Sequence, residues 1–182
     1  MKTLIINGSP RVHGDTASLI KIITDKLPGE CKIVNAYRCN IAPCVDCRYC
    51  WEHDGCAIKD EMQEIYDYIQ ECDNILIASP IYFSELTGKL LDFGSRLQTY
   101  FSAHFFRKEN PIAKPKKGAV ILVSGSTFPL DKAYDTACML LHHMNSYDIL
   151  PPVICNDTNH RTALEAEECL KGIEDIIEFF SN

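Results

Sequence analysis

At 182 residues the chain can bury one sizeable α/β core, with no linker, repeat or low-complexity tract to divide it, so a single domain over residues 1–182 is expected. A formal net charge of -7 without a basic stripe argues against nucleic acid as a partner, and no apolar run approaches the length of a membrane span. The start of the chain is too short in apolar residues for a signal peptide, so ten cysteines in an expected cytoplasmic setting point to thiol, metal or redox chemistry rather than a disulfide framework.

The first element is an apolar strand over residues 3–6, which breaks at Asn7-Gly8 and restarts as a helical pattern over 16–27. A strand running through small and hydroxyl residues into a helix N-terminus suits an anion, because the first helical amides lack partners and the dipole favours negative charge. A Walker A loop is excluded: Gly8 and Gly14 are one residue too far apart, and Asp15 stands where the lysine belongs. A dinucleotide fingerprint is excluded because Ser9 to His13 fill the space its glycines need. One terminal phosphate remains, held by Ser9, Arg11, Thr16, Ser18 and the helix amides; the plainer alternative is a helix capped by Asp15 or Thr16.

A strand over 32–36 leads into a cysteine-rich loop, residues 39–57, containing Cys44-x2-Cys47-x2-Cys50-x5-Cys56. That spacing is compact enough for a 4Fe–4S cluster and differs from two separated zinc-binding pairs, although zinc or free thiols stay open. Pro43, Tyr49 and Trp51 would shield the site, and Cys39 lies close enough to be a spare ligand. Cys31, Cys72, Cys138 and Cys169 read as small buried apolar residues.

A helix over 61–71 follows, with Met62, Ile65, Tyr66 and Ile69 on one face and a capping box from Asp60 and Gln63. The strand over 74–78 opens into Ser79-Pro80-Ile81-Tyr82-Phe83-Ser84-Glu85, which offers amides and two rings to a flat ligand. A helix over 88–105 ends among Tyr100, Phe101, Phe105 and Phe106, candidates for a subunit interface. Lys114, Lys116 and Lys117 mark a solvated loop before the strand over 119–123, after which Ser124, Gly125 and Ser126 allow close backbone approach and a polar rim. Next come a helix over 131–145, a strand over 153–155 and a helix over 162–180. Cys155-x5-Arg161-Thr162 has phosphatase-loop spacing, but it lacks glycine and carries Asp157, which would repel the substrate. His142 and His143 have no ligand partner at suitable spacing.

Strict alternation of strand and helix implies a parallel sheet covered on both faces, and the order 2-1-3-4-5 fits best. Ligands then bind at the carboxyl ends of the strands, where residues 8–15, 79–85 and 124–130 meet.

Ile6-Asn7-Gly8-Ser9-Pro10-Arg11, Gly14-Asp15-Thr16 and Ser79-Pro80-Ile81-Tyr82-Phe83 resemble the NADPH-dependent FMN reductase branch of the flavodoxin-like flavoproteins, and the four cysteines resemble those of its iron–sulfur flavoproteins. The resemblance implies a flavodoxin-like three-layer fold with the FMN phosphate on Ser9, Arg11, Thr16, Ala17 and Ser18. It places the ribityl chain and ring on Pro80, Tyr82, Phe83 and Ser84, with Ser124 to Ser126 closing the ring site, in a homodimer or homotetramer. Two departures stand out. Asp15 replaces an asparagine and would repel the phosphate unless it points away. Leu91 and Ser95 replace a lysine and an aspartate beside the retained Phe93 and Arg96, which unsettles the ion pairing of that helix.

The expected function is hydride transfer from NAD(P)H to bound FMN and onward to a second acceptor. A carrier that passes single electrons between proteins without binding nicotinamide is the alternative, and a zinc-bound interaction domain with a vacant flavin site is a third.

Overall fold

Strand β1 (Lys2–Asn7) buries Leu4, Ile5 and Ile6 completely, which only a strand covered on both faces permits. In the computed structural model, which describes residues 1–182, β1 pairs in parallel with β2 (Glu30–Asn35) and β3 (Asn74–Pro80). Strand β3 pairs with β4 (Lys116–Val123), and β5 (Ser146–Ile149) completes the order β2-β1-β3-β4-β5. Alternation divides the strands between two cores: Leu4, Ile6, Ile75 and Ile77 face one layer, and Ile5, Leu76 and Ala78 the other.

Helices α3 (Met62–Glu71), α4 (Gly88–Ser95) and α6 (Asp131–His143) cover the first face through Met62, Ile69, Leu90, Phe93 and Leu141. Helices α1 (Asp15–Lys26) and α7 (Glu167–Ser181) cover the second through Leu19, Ile23, Ile173 and Ile176. Each such fully buried aliphatic side chain contributes about 1.5–3 kcal/mol relative to exposure. The chain thus has the flavodoxin-like three-layer architecture expected.

The edge differs from expectation. Its place is shared by two short strands, β5 (Ser146–Ile149) along the first residues of β4 and β6 (Val153–Cys155) along the last. Pro151 and Pro152 fall between them, and without N–H groups they cannot continue a ladder. The helix read over 88–105 is also interrupted. Bonds from Arg96 and Leu97 to the carbonyls three residues back tighten the chain after α4, before α5 (Gln98–Ser102) and a wide π-turn (Ala103–Arg107).

Several side chains sit elsewhere than expected. Lys116 is buried inside β4, its Nζ donating to the Lys114 carbonyl 2.8 Å away, so the lysine cluster is not a solvated loop. Tyr100 belongs to the core, leaving Phe101, Phe105 and Phe106 exposed. Cys72 is buried as expected, but Cys31 and Cys138 are half-exposed, and Cys169 is bonded to Cys155 across 5.6 Å between Cα atoms. That bond takes Cys155 out of any thiolate chemistry in the 155–162 loop.

Candidate functional site

The first loop grows directly out of β1. Gly8 N–H donates to the Ala78 carbonyl (2.8 Å), extending the ladder one residue past the strand. A side chain there would place Cβ 2.7 Å from Leu90 Cδ1 and 2.8 Å from Ser79 Oγ, so any larger residue would have to displace these buried side chains. Asn7 Oδ1 accepts the Ser9 amide (2.9 Å) and Ser9 Oγ accepts the Arg11 amide (3.2 Å), which curls the loop back toward α1.

Helix α1 begins after Gly14 with no side-chain cap, so neither Asp15 nor Thr16 caps it. Main-chain bonding inside the helix begins with Ser18 N–H on the Gly14 carbonyl, which leaves the amides of Asp15, Thr16 and Ala17 unspent. Asp15 Oδ1 accepts the Ala163 amide at 2.7 Å, which pins the segment before α7 to the start of α1. The departure at Asp15 is thus a tether between the two helices of one face.

Two further loops meet this one. Ile81 N–H donates to the Val123 carbonyl (2.9 Å), and Tyr82 and Glu85 exchange both main-chain bonds across a tight turn. Phe83 (φ 53°) and Ser84 (φ 59°) both adopt left-handed backbone in that turn, an arrangement favoured by glycine and asparagine. The turn throws the Phe83 ring wholly into solvent and leaves Tyr82 exposed, so neither is a core residue. At the third loop, Ser124 Oγ donates to the Ser126 carbonyl (2.7 Å), and its own main-chain carbonyl accepts Thr158 N–H (3.1 Å).

Together the loops enclose a cleft of about 160 Å³. Ser9, Arg11, Asp15 and Thr16 line one side; Pro80, Ile81 and Tyr82 line the next; Gly125 lines the third. Ala17, Ser18, Phe83, Ser84, Ser124 and Ser126 lie beside the cleft rather than on its wall, with Ser18 Oγ turned back to the Gly14 carbonyl. Thr158 and Asn159 complete the wall and were not singled out from sequence. Their signal was present, since a polar Asn156-Asp157-Thr158-Asn159 run directly follows a strand, but the phosphatase spacing of the same loop obscured it.

The second candidate site is the cysteine loop. Cys44, Cys47, Cys50 and Cys56 all border one small pocket of about 20 Å³, with Trp51, Ile58 and Arg96 among its apolar and basic neighbours. Asp46 (φ 50°) and Arg48 (φ 61°) give the loop two left-handed kinks before the short helix α2 (Tyr49–Glu52). No three His, Cys, Asp or Glu side chains converge as a metal-binding group, so the thiols share a pocket without sharing a point.

The arm over residues 95–107 clamps this loop with side chains at helical spacing. Ser95 Oγ accepts the Cys44 amide (2.9 Å), Thr99 Oγ1 donates to the Gly55 carbonyl (2.9 Å), and Ser102 Oγ accepts from Cys50 Sγ (3.3 Å). Arg107 Nη1 reaches the carbonyls of Cys50 and His53.

Arg96 is the centre of the clamp and its side chain is wholly buried. Nη1 donates to Asp60 Oδ2 (2.6 Å) and the Ala42 carbonyl (2.9 Å), and Nη2 to the Ile58 carbonyl (3.2 Å). Asp60 therefore does not form the expected box with Gln63, whose amide turns to the Ile58 carbonyl; it accepts the Met62 amide and carries the ion pair. Burial would raise the Asp60 carboxyl, but hydrogen bonds from Arg96, Ala42 and Met62 outweigh it and hold it below the usual range. Burial likewise opposes charge on Arg96, yet Asp60, with Tyr66 and Cys56 nearby, holds its pKa above the usual value. The ion pairing left open by Leu91 and Ser95 is made with Asp60, from a different segment.

The donor set fits a thiolate-bound cluster in its chemistry: four thiols, an apolar wall, and a buried arginine whose Nε–H has no partner.

A model of the family described as NADPH-dependent FMN reductase matches residues 1–161. An iron–sulfur flavoprotein of Methanocaldococcus jannaschii is 31% identical over 93 residues, covering 50% of this chain and 48% of the relative. Another, from Methanosarcina thermophila, is 30% identical over 129 residues, covering 69% and 64%. The matches thus span about half to two thirds of these relatives' length. Among solved structures, an NAD(P)H:quinone oxidoreductase from Methanothermobacter marburgensis superposes with a TM-score of 0.73 at 14% identity, over 100% of this chain and 96% of that one. An FMN-dependent NADH-azoreductase from Bacillus anthracis, in complex with FMN, gives 0.68 at 15% identity over 100% of both chains.

Proposed function

The chain belongs to the NADPH-dependent FMN reductase family, and from that premise we propose that it is an FMN-dependent oxidoreductase, taking hydride from a nicotinamide nucleotide and passing the electrons to a second acceptor. The observation that carries this reading is the convergence of three strand-end loops on one cleft that opens onto the uncapped start of α1. Three unspent amides and Arg11 offer positive potential to a phosphate, while Ser9 and Thr16 supply hydroxyls on the same wall. Tyr82 gives an apolar face, and Gly125 lets backbone approach a planar ring closely. Asp15 stands on the same wall, with its Oδ1 spent on the Ala163 amide.

The four cysteines extend the reading, because two relatives bear the name iron–sulfur flavoprotein and this chain gathers its thiols on one pocket. Cys44, Cys47, Cys50 and Cys56 would hold a 4Fe–4S cluster, and the clamp from Ser95 to Arg107 would keep them in place. When bound, FMN supplies a two-electron acceptor and the cluster a one-electron relay. The protein's part is to orient the ring at the cleft and to shield the thiols with Trp51 and Ile58. We assign the whole of residues 1–182 to one flavin-binding unit, working as a homodimer or homotetramer.

Anaerobic mixing of the flavin-loaded protein with NADPH or NADH tests the proposal. Bleaching of the flavin absorbance within seconds is the expected result. Failure to bind FMN would end it, and reduction only by low-potential protein donors would favour the electron-carrier alternative.

A further inference from the structure

The clamp residues Ser95, Thr99 and Ser102 each spend their side-chain oxygen on the cysteine loop, whereas Arg96 keeps part of its donor set in reserve. A guanidinium carries five N–H donors in one plane. Nη1 uses its two on the Ala42 carbonyl and Asp60, and Nη2 uses one on the Ile58 carbonyl. Nε–H has no partner at all, although the side chain is wholly buried. An orphaned donor in such a place is unfavourable, and native folds keep very few.

The structural duties of Arg96 are met without Nε. Asp60 balances the charge, and two carbonyls fix the plane of the group. Tyr66 donates its hydroxyl hydrogen to the main-chain carbonyl of Arg96, and its oxygen makes no hydrogen bond with Nε–H. What remains on the wall that Arg96 shares is sulfur: Cys44, Cys47, Cys50 and Cys56. Thiolate and sulfide sulfurs accept N–H hydrogen bonds, and such bonds favour the more negative, reduced state of a cluster.

We propose that Arg96 is the positioning residue that sets the potential of the cysteine site, its unspent Nε–H donating to a sulfur of the iron–sulfur cluster held there. The inference rests on the cluster reading and adds to it a specific donor. Reduction adds one electron to the site, and the N–H stays on Arg96, so no proton or further co-reactant enters the step.

The test uses whole protein grown with 15N-arginine, charged with ferrous iron and sulfide without oxygen, and reduced by dithionite. Pulsed electron paramagnetic resonance of the reduced cluster should show hyperfine coupling to an arginine 15N. The coupling should vanish in Arg96→Lys and persist in Arg48→Lys, whose arginine borders the same pocket but lies over Trp51. At fixed potential Arg96→Lys should hold an oxidised-to-reduced ratio about tenfold higher, a downward shift of about 59 mV. A wild-type cluster without arginine coupling overturns this inference and leaves the cluster reading standing. A wild-type protein that retains no iron overturns both. The wild-type spectrum decides the matter even if the Arg96→Lys protein fails to fold.

Discussion

The cleft at the strand ends is a product of the sheet, with Gly8 continuing the β1 ladder and Ile81 and Ser124 extending β3 and β4 by main-chain bonds. The cysteine loop, by contrast, has no main-chain pairing to any strand between Ala42 and Cys56, and side chains of one helical arm hold it. A site made by strand ends inherits its geometry from topology, so almost any sequence that builds the sheet delivers it. A site clamped by side chains depends on a few polar residues, each of which can be removed without touching the sheet.

The sharpest way to break the comparison is Asp60→Ala. It strands the Arg96 charge in the core, and a loss of about 3–5 kcal/mol in chemical denaturation is expected. The pH dependence should show the same pair. Because the folded-state pKa of Asp60 is depressed, its contribution is present above the unperturbed 3.8 and disappears as pH falls through the folded value. Wild-type stability should therefore drop more steeply below about pH 4 than that of Asp60→Asn.

Arg11→Ala should act on the other site alone. Loss of a charge-assisted phosphate contact of about 1.5–3 kcal/mol predicts FMN binding weaker by about 10- to 100-fold in a fluorescence titration. The melting temperature of the flavin-free protein should stay put, since Arg11 is exposed. Thr99→Ala removes one strut of the clamp at a cost of about 1 kcal/mol. Cysteine alkylation, followed by mass spectrometry, should become faster at Cys44 to Cys56 while FMN affinity is unchanged. Ser84→Gly, the smallest change, relieves left-handed backbone and should stabilise the flavin-free protein by up to about 1 kcal/mol in thermal unfolding.

The sheet order, the amphipathic face of α3 and the first two walls of the cleft were legible in the chain. Each rests on a local pattern: an apolar run, helical spacing, or a strand end meeting a helix start. The Asp60–Arg96 pair was not legible, because 36 residues separate its members and the local spacing of Asp60 and Gln63 suggested a cap instead. Asp15 misled in the same way. Its partner Ala163 lies 148 residues away, and from sequence the carboxylate could only be set against the phosphate. The clamp over 95–107 was visible only as polar residues on an apolar helix, with nothing to say which loop they met.

What the sequence determined by itself is the alternation of strands and helices, the 2-1-3-4-5 order, and a strand that runs through small and hydroxyl residues into the start of α1. These follow from periodicity and from the few topologies that parallel strands allow. Tertiary structure alone decided that Pro151 and Pro152 split the edge strand, that Thr158 and Asn159 close the cleft, and that four thiols border one pocket beside a buried arginine. Such facts depend on which distant segments share a few ångströms, and a buried donor or carboxylate chooses its partner by that distance and by desolvation, neither of which is written into local order.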